Sequence, residues 1–530
     1  MINYEKFNTT ENHSFNLYNA VKWCRDNECD GIVFNKGRYD FTGDMASEEV
    51  LHISNHDVYG IKRIAFLIKD MKNFTIDGGG SEFLFHNTVM PFAVVNSENI
   101  TLKNFSIDVD DVMTLDLRVI DANEKYFDAE VVNNGSYKVE GDNLYLLNSD
   151  GDKDIYHYLG IRARGEDKSF IPESKDEFRA GNPALKVEDL CDRKLRIYGS
   201  KLYPAKGMRL ITRGSYRFAL NIAIDKSKDI LLENVTMYKS YAMGLCAEMT
   251  ENVTVDGMTV KAKDGELLSL NCDATHFIHC KGLVMVKNSS FSEQQDDAIN
   301  IHGIFTRIVD KSDDYILIKY MQRQAKGIDI YKKGSTFQVL NPKTLIPKGI
   351  YEIKDVEVIN LNYTKIYVKG GTESIDIGDD VEDLTWQCDL VFENNRVTNN
   401  RARGMLIAAK GNVLIKNNYF NTPGVAILFE SDGNFWFESG GTNHIEISGN
   451  TFENCCYTNG NWGRYVIQLN PREEFDGENY YHKYIKISDN KFINCEKKLL
   501  LADNVEKIEL SGNNVDVKAF SEFANIKEIV

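Results

Sequence analysis

A short β-prone unit, in which Asn or Gly stands between two apolar pairs, recurs along most of the chain. Copies begin at Asn99, Asp229, Asn252, Asn412, His444, Tyr484 and Lys507. The Asn or Gly position advances by 23 residues from 234 to 257, from 394 to 417 and from 490 to 513. We expect this residue to form a tight, left-handed corner between two strands. One unit cannot bury its apolar face alone, so neighbouring units must stack.

Stacked strand–bend–strand coils of roughly 20–30 residues are typical of an all-β, right-handed parallel β-helix, the pectin-lyase-like solenoid. Leucine-rich repeats have a similar length, but their LxxLxL pattern with a helical return is missing. A short amphipathic helix is predicted over residues 17–27, where it would cap the N-terminal end of the solenoid.

Two stretches, residues 112–216 and 304–387, break the rhythm. Alternating runs at 144–147 and 315–320 predict short antiparallel strands within them. We predict that both stretches are small inserted domains, barrel-like or sandwich-like. The predicted β-helix then has an N-terminal part (1–111), a central part (217–303) that contains Asp273 and the Asp296–Asp297 pair, and a C-terminal part (388–530).

The net charge and the cysteines of the chain indicate which partners it can bind and in which cellular compartment it works. The net charge of −17 argues against nucleic acid or pectate as a partner, whereas neutral sugars are easily accommodated. No apolar run reaches the roughly 18 residues that span a bilayer, so no membrane partner is expected. The ten cysteines show no disulfide-module or CxxC spacing, and the first residues lack the features of a secretion signal. We expect a cytoplasmic protein; a chain whose signal had been removed would look the same and be secreted.

Each coil has a predicted third strand some 5–13 residues after the bend, and unusual polar residues gather there. Two of these strands are predicted at 268–273 and 297–302. Asp273 and Asp296 are 23 residues, or one coil, apart, and successive coils lie about 4.8 Å apart. Asp296 and Asp297 would point in opposite directions in a regular strand. A bend is therefore needed to bring both into one cleft.

Three close carboxylates repel one another, which raises the pKa of at least one and keeps it protonated near neutrality. Cleavage of a glycosidic bond needs this difference, because one carboxylic acid protonates the leaving oxygen while a carboxylate activates water or attacks. The alternative is that Asp296–Asp297 forms a turn or a pair of calcium ligands. The sequence pattern by itself leaves both interpretations open.

Three histidines, His276, His279 and His302, have the residue type of metal ligands, but their spacing fits no compact motif. We therefore predict no metal and no organic cofactor. A hydrogen bond to substrate, or a satisfied position in the core, is the preferred interpretation. His276 and His302 are assigned to substrate binding.

Four further residues are predicted to contact a sugar. Arg403 stands just before a strand and could bind hydroxyl groups, although surface charge is the alternative. Trp436 could stack on a sugar face or cover the end of the core. Glu430, in another third strand, and Glu438, close to Trp436, complete the predicted substrate-binding set.

Four ordered segments resemble glycoside hydrolase family 110: Asn271–Phe277, Gln295–Gly303, Asn400–Gly404 and Asn434–Gly440. The resemblance covers mainly residues 271–303 and 388–452. The family contains inverting α-1,3-galactosidases that remove terminal galactose from blood-group-B-type and, in some members, linear Galα1-3Gal glycans. It resembles polygalacturonases in fold, with barrel-like insertions. The resemblance implies an exo-acting enzyme in which Asp273, Asp296 and Asp297 are catalytic, without assigning the acid or the base.

One departure bears on the substrate. Polygalacturonases have the same order of motifs: Asn-x-Asp, Asp-Asp and His-Gly. They also have a basic Arg-x-Lys element that binds galacturonate. In this chain the Lys of that element is replaced, because Met405 follows Arg403–Gly404. This favours neutral galactose. The alternatives are another β-helix hydrolase, a lyase, or a carbohydrate-binding solenoid without activity. The exposed edges of the two predicted insertions could support a homodimer.

Overall fold

The computed structural model of the protein describes residues 1–56, 60–110, 114–148, 153–155, 162–165, 168–170, 186–198, 204–212, 217–458, 462–495 and 498–530. Most of these residues belong to a β-helix whose coils pair through parallel ladders. The chain therefore has the predicted pectin-lyase-like solenoid, in which each coil buries its apolar side chains against the next. Among the described residues, no helix has the length and apolar character needed to cross a bilayer.

The first coils are formed by strands Ile2–Asn3, Gly31–Val33, Arg38–Phe41, Ser47–Val50, Ile61–Lys69, Lys72–Phe85, Met90–Val95 and Glu98–Val109. An α-helix, His13–Asp26, packs on this end, and the side chain of Asn12 caps it by accepting from the Phe15 N–H at 2.9 Å. The predicted helix therefore began four residues too late. Asn12 was the missed signal, because Asn is a preferred N-cap residue.

The central coils contain strands Ile222–Asp225, Lys228–Met237, Leu245–Glu248, Glu251–Asp256, Thr259–Val260, Thr275–Ile278, Lys281–Lys287, Ser290–Ser292 and Ile299–Lys311. The C-terminal coils contain Cys388–Glu393, Arg396–Thr398, Met405–Ala408, Asn412–Lys416, Tyr419–Asn421, Ile427–Phe429, Glu438–Ser439, His444–Ser448, Thr451–Glu453, Ile467–Leu469, His482–Ser488, Lys491–Ile493, Leu500–Ser511 and Ser521–Ile529. Short 3-10 helices lie at Tyr4–Lys6, Arg323–Ala325 and Val517–Phe520.

Antiparallel sheets lie in the two stretches where the repeat is interrupted. The first stretch contains a six-stranded sheet of Asp116–Ala122, Tyr126–Val131, Arg162–Arg164, Val187–Asp189, Lys194–Tyr198 and Arg209–Ile211, and a three-stranded sheet of Ser136–Glu140, Asn143–Leu147 and Lys153–Ile155. In the second, Tyr315–Lys319, Thr336–Leu340, Pro347–Asn360, Tyr363–Val368 and Asp380–Asp383 pair with one another and with the end of Ile299–Lys311.

The coils on either side of each interruption pair directly. Ile222–Asp225 is parallel to Met90–Val95, and Met405–Ala408 is parallel to the start of Ile299–Lys311. The division into five domains stays a prediction, as does the barrel-like character of the two insertions.

The corners predicted at 234, 257, 394 and 417 have the left-handed conformation. Those predicted at 490 and 513 are wrong by one residue, because Asp489 and Gly512 form these corners, with φ of +58° and +65°. Asn394 and Asn417 have φ of +57° and +56°, values that Asn tolerates better than most residues. The residue after each corner points inward, where Asn418 accepts from the Asn395 N–H at 2.8 Å and donates to the Phe392 carbonyl at 2.8 Å. This ladder of side-chain amides satisfies backbone groups that the bend leaves without a partner.

Aromatic rings stack through the core of the C-terminal coils. Phe291, Phe392, Phe420, Phe452 and Phe492 occupy equivalent positions, with centroid separations of 6.4, 6.3, 5.3 and 5.1 Å along the series. Near-parallel rings at these distances are favourable offset stacks. These stacked rings fill the interior of the coils that they connect.

Candidate active site

Three adjacent strands form the floor of a cleft on the outside of the β-helix. His276, Asn300 and Leu406 lie side by side in the parallel ladders of this face. Side chains alternate along a strand, so the neighbours of these three residues point into the core, as Ile301 does. The cleft therefore presents one outward side chain from each coil at this level.

The acidic residues lie in the bends that precede these strands. The strand predicted at 268–273 is wrong: it runs from Thr275 to Ile278, and Asp273 precedes it. Asp296 and Asp297 also lie in a bend, because the next strand begins at Ile299. This is the bend that the sequence required if both side chains were to reach one cleft.

The three carboxyl groups converge on a single cavity. One oxygen of each of Asp273, Asp296 and Asp297 lies within 4.8 Å of the other two. All three line a cavity of about 110 Å³. The side chain of Asp296 is 16% exposed and that of Asp297 only 1%. The cluster therefore combines one solvent-accessible carboxylate with a fully buried one.

Two arginines from the next coil lie against this cluster. Arg403 Nε is 3.1 Å from Asp297 Oδ1, and its Nη2 is 2.9 Å from Oδ2. The Arg403 backbone N–H donates to the same Oδ1 at 3.2 Å, and Arg401 Nη1 is 3.4 Å from Asp296 Oδ1. Arg401 thus also contacts the cluster, although it was not among the predicted site residues.

Burial dominates the ionisation of Asp297. It raises the pKa of this carboxyl to about 8; the Arg403 guanidinium opposes the shift, and the negative charges of Asp296 and Asp273 add to it. Loss of hydration destabilises the charged form, and here this effect exceeds the attraction of a single cation. Asp297 therefore holds a proton at neutral pH, as expected when three carboxyl groups share a site.

A chain of hydrogen bonds connects Asp273 to two histidines. His276 Nδ1 is 2.6 Å from Asp273 Oδ2, His276 Nε2 is 3.0 Å from His302 Nε2, and His302 Nδ1 is 2.7 Å from the Gly303 carbonyl. Each contact needs one proton, because a carbonyl only accepts and two imidazole lone pairs repel. This chain fixes the orientation of the Asp273 carboxyl group. Burial lowers the pKa of His276 well below its usual value.

Most of the residues predicted to bind substrate line the cavity. His276, Arg403, Glu430, Trp436 and Glu438 all do so. His302 lies behind His276 instead, where its Nε2 is 3.8 Å from Glu438 Oε1. His302 can therefore influence the cavity through its two neighbours.

The loop that carries Trp436 is held by a buried carboxylate. Asp432 accepts from the backbone N–H groups of Asn434 and Phe435 at 2.7 Å each and of Trp436 at 3.0 Å. Arg472 bonds to Asp432 at 3.2 Å, and to Glu430 at 2.8 Å. Trp436 keeps 42% of its surface exposed at the cavity. The loop thus presents an aromatic ring in a defined position.

Several lining residues were missed from the sequence: Asn55, Arg217, Met243, Asn300, Gln324, Leu406 and Asp432. Asn300 could have been found, because it lies two residues before His302 and shares its outward face. Its buried Oδ1 has no hydrogen-bond partner among the described residues. Asn55, Arg217 and Gln324 carry no such signal, since they come from parts of the chain remote from the three aspartates.

The carboxylate cluster is also the group of described residues with the donor spacing of a metal site. Hard divalent cations prefer such oxygen ligands. However, Arg403 and Arg401 already supply positive charge at Asp297 and Asp296, and a protonated Asp297 is a poor ligand. The residues present therefore fit acid–base chemistry better than they fit cation binding.

A β-helix with a protonated and an accessible carboxyl group in one cleft has the parts of a polysaccharide- or glycan-cleaving enzyme. The family model described as "Right handed beta helix region" matches residues 345–521. "Alpha-1,3-galactosidase A" of Shewanella woodyi is 30% identical over 94% of this chain and 82% of its own length. "Alpha-1,3-galactosidase B" of Bacteroides fragilis is 31% identical over 94% of this chain and 87% of its own.

The chain is a glycoside hydrolase. It belongs to the α-1,3-galactosidase family, glycoside hydrolase family 110. Among solved structures, the A-module of a mannuronan C-5 epimerase, AlgE4 of Azotobacter vinelandii, has a TM-score of 0.43 at 7% identity, covering 100% of this chain and 97% of its own. A similarity this weak indicates nothing about activity.

Proposed function

We propose that the protein is an exo-acting galactosidase that releases terminal α-1,3-linked galactose from blood-group-B-type or linear Galα1-3Gal glycans. The observation that carries the proposal is the convergence of Asp273, Asp296 and Asp297 on a cavity of about 110 Å³. A cavity this small suits one terminal sugar better than the interior of a polysaccharide. The names of the relatives supply the sugar and the linkage.

In the proposed mechanism, Asp297 is the general acid. It enters the reaction protonated and delivers its proton to the oxygen of the leaving sugar. Asp296, the more exposed carboxylate, or Asp273 activates the attacking water. Asp273 is oriented for this by its 2.6 Å bond to His276. Arg403 then stabilises the negative charge that Asp297 acquires.

Sugar recognition is assigned to the polar wall around this cluster. Trp436 would stack on the apolar face of galactose. Arg403, Glu430, Glu438 and His276 would bind hydroxyl groups, with His302 acting through His276. These side chains carry charge or strong hydrogen-bonding groups at the cavity, as binding of a neutral polyol requires.

The stereochemical course is proposed from the family resemblance alone, which implies inversion. Carboxyl groups of inverting glycosidases are usually about 6.5–9.5 Å apart, which leaves room for a water molecule. Here the nearest oxygens lie within 4.8 Å, so the spacing does not itself favour inversion. Proton NMR of the first product decides the question: β-galactose would establish inversion, and α-galactose would show retention.

The decisive experiment measures galactose release from Galα1-3Gal with and without fucose on the penultimate galactose. Wild type is compared with Asp296→Asn and Asp297→Asn, and Asp26→Asn, an exposed change at the end of the N-terminal helix, is the control. We expect release by wild type and the control, and loss of at least about 10³-fold in both cleft variants. Release from neither glycan by folded wild type would refute the substrate assignment. Turnover unchanged in Asp297→Asn would refute the acid.

A further inference from the structure

The segment of residues 51–56 crosses from the N-terminal coils to the end of the cleft. Two of its backbone N–H groups, those of Ser54 and Asn55, donate to distant parts of the chain. The Ser54 N–H donates to Glu248 Oε2 at 3.0 Å, and the Asn55 N–H donates to the Gln324 carbonyl at 3.1 Å. These anchors belong to different regions of the chain, the central coils and the second interruption. The segment is thus held in place over the cleft from both sides.

Asn55 is the residue of this segment that enters the cavity. Arg217, which also lines the cavity, donates through Nη1 to the Asn55 carbonyl at 2.6 Å. The Asn55 side-chain Nδ2 lies 3.1 Å from His276 Nε2. Asn55 therefore touches the hydrogen-bonded chain that begins at the Asp273 carboxylate, although it lies more than 200 residues away in sequence.

The backbone of Asn55 has a conformation that constrains which residue can stand there. Its φ is +59°, in the left-handed region that Asn and Gly tolerate and most other residues avoid. Asn supplies this backbone turn together with a side-chain amide, which can both donate to and accept from a hydroxyl group. Gly would supply the turn alone.

Glu248 is a buried carboxyl group that the proposed mechanism does not use. It is 4% exposed and lies beside Asp225 in the parallel ladder. Burial raises its pKa to about 8, and the charge of Asp225 adds to the shift. Placing two carboxyl groups side by side in the interior costs stability. Glu248 accepts the bond from the Ser54 N–H and so holds the backbone next to Asn55.

We propose that Asn55 is a specificity-determining residue that binds hydroxyl groups of the terminal sugar and closes one end of the cleft, and that Glu248 is the residue that positions it. This inference rests on the proposed function for the identity of the sugar. A closed end would account for the proposed exo mode, because a longer glycan could not continue past the segment 51–56. Arg217 and Gln324 brace the segment through its backbone.

The test of Asn55 uses substitutions that leave the backbone unstrained. Asn55→Gly keeps the positive φ at little cost and removes the amide. Asn525→Gly is the matched control, because Asn525 is exposed and also has a positive φ, at the far end of the solenoid. Galactose binding is measured by calorimetry in an Asp297→Asn background, alongside KM and kcat for an aryl α-galactoside in otherwise wild-type protein.

Loss of one or two hydrogen bonds should weaken galactose binding and raise KM by roughly three- to tenfold in Asn55→Gly, with a smaller change in kcat. The Asn525→Gly control should match its parent. An unchanged Kd for galactose in Asn55→Gly would overturn the inference even if the enzyme is a galactosidase. Binding of galactose that depends on Asn55 in a protein that hydrolyses no α-galactoside would refute the proposed function but leave the binding role intact.

Glu248 is tested with a pair of variants. Glu248→Gln preserves an acceptor for the Ser54 N–H and should retain KM within about twofold of wild type. Glu248→Ala removes the acceptor and should raise KM to the level of Asn55→Gly. Melting temperatures of both variants show whether the fold is retained. A KM unchanged in folded Glu248→Ala, or raised equally in Glu248→Gln and Glu248→Ala, would show that Glu248 does not position the segment.

Discussion

Arg403 Nη2 lies 2.9 Å from Asp297 Oδ2, and this pair joins two coils of the β-helix at the centre of the cleft. The guanidinium lowers the pKa of the carboxyl, but burial raises it by more. Asp297 is thereby protonated in the resting protein, and the Arg403 guanidinium lies beside it to stabilise the carboxylate when the proton leaves. This balance between burial and a single positive charge underlies the proposed acid.

Removing that charge should shift the pH profile. In Arg403→Met, the pKa of Asp297 should rise above its wild-type value, because the guanidinium no longer opposes the effects of burial and of the other carboxylates. The basic limb of kcat/KM should move to higher pH by about one unit, and kcat should fall roughly 10²-fold as the conjugate base loses its partner. Arg396→Met, on an exposed face, is the control. A basic limb that stays in place would contradict the pairing.

The wild-type pH profile follows from the value of about 8 for Asp297. A general acid must hold its proton, so kcat/KM should be level on the acid side of this pKa and fall about tenfold per pH unit above it. Initial rates between pH 5 and 10 measure this. A rise in rate through pH 8 would instead identify the group as a base.

The same carboxyl should make stability depend on pH. Its pKa is raised on folding, so its contribution is fully present below the unfolded value of about 3.9 and is lost as the pH rises through about 8. Denaturant unfolding at pH 5 and pH 8.5 should show a loss of stability in wild type that is smaller in Asp297→Asn. Glu248, with a similar pKa, is present in both proteins and cancels in the comparison. Equal losses in the two proteins would contradict the assignment.

Trp436 should contribute to affinity rather than to folding. Substitution by Ala removes a stacking surface worth about 0.5–1.5 kcal/mol, which corresponds to a roughly two- to tenfold rise in KM. Trp23, 41% exposed on the N-terminal helix, is a matched control, since Trp436 is 42% exposed. Michaelis constants and melting temperatures of Trp436→Ala and Trp23→Ala separate the two roles. Equal effects of both on KM would exclude stacking by Trp436.

Chelation tests the alternative role of the carboxylate cluster. Because Arg403 and Arg401 supply positive charge there, we expect EDTA treatment followed by desalting to leave galactosidase activity unchanged, and added Ca²⁺ to restore nothing. Loss of activity on chelation, with recovery on addition of Ca²⁺, would show that Asp273, Asp296 and Asp297 bind a cation.

The amide ladder should account for a measurable part of the stability of the solenoid. Asn418→Ala leaves the Asn395 N–H and the Phe392 carbonyl buried without their partner, which costs about 1–3 kcal/mol. Asn134→Ala, at an exposed site, should change the free energy of unfolding by less than about 0.5 kcal/mol. Denaturant titration measures the free energy of unfolding of both variants. If that of Asn418→Ala equals the wild-type value, the ladder does not contribute to stability.

The solenoid could be predicted from the sequence, because each coil must stack on its neighbours to bury its apolar face. This requirement repeats the same pattern of apolar residues from coil to coil. The left-handed corners at Asn394 and Asn417 could be predicted for the same local reason. The carboxylates were found because Asp273 and Asp296 differ by one coil and therefore lie beside each other in any β-helix. Short-range periodicity thus determined both the fold and the centre of the cleft.

The folded structure sets how that centre is completed. It places the strand near Asp273 at 275–278 rather than 268–273, and it puts Asp296 and Asp297 together in a bend. It also sets the pKa of Asp297 through the opposing effects of burial and the Arg403 charge. It also brought Asn55 to His276, a contact between segments that share no repeat and no motif. Such positions depend on loops whose paths are set by long-range packing, and burial and pKa are properties of the assembled surroundings rather than of any stretch of sequence.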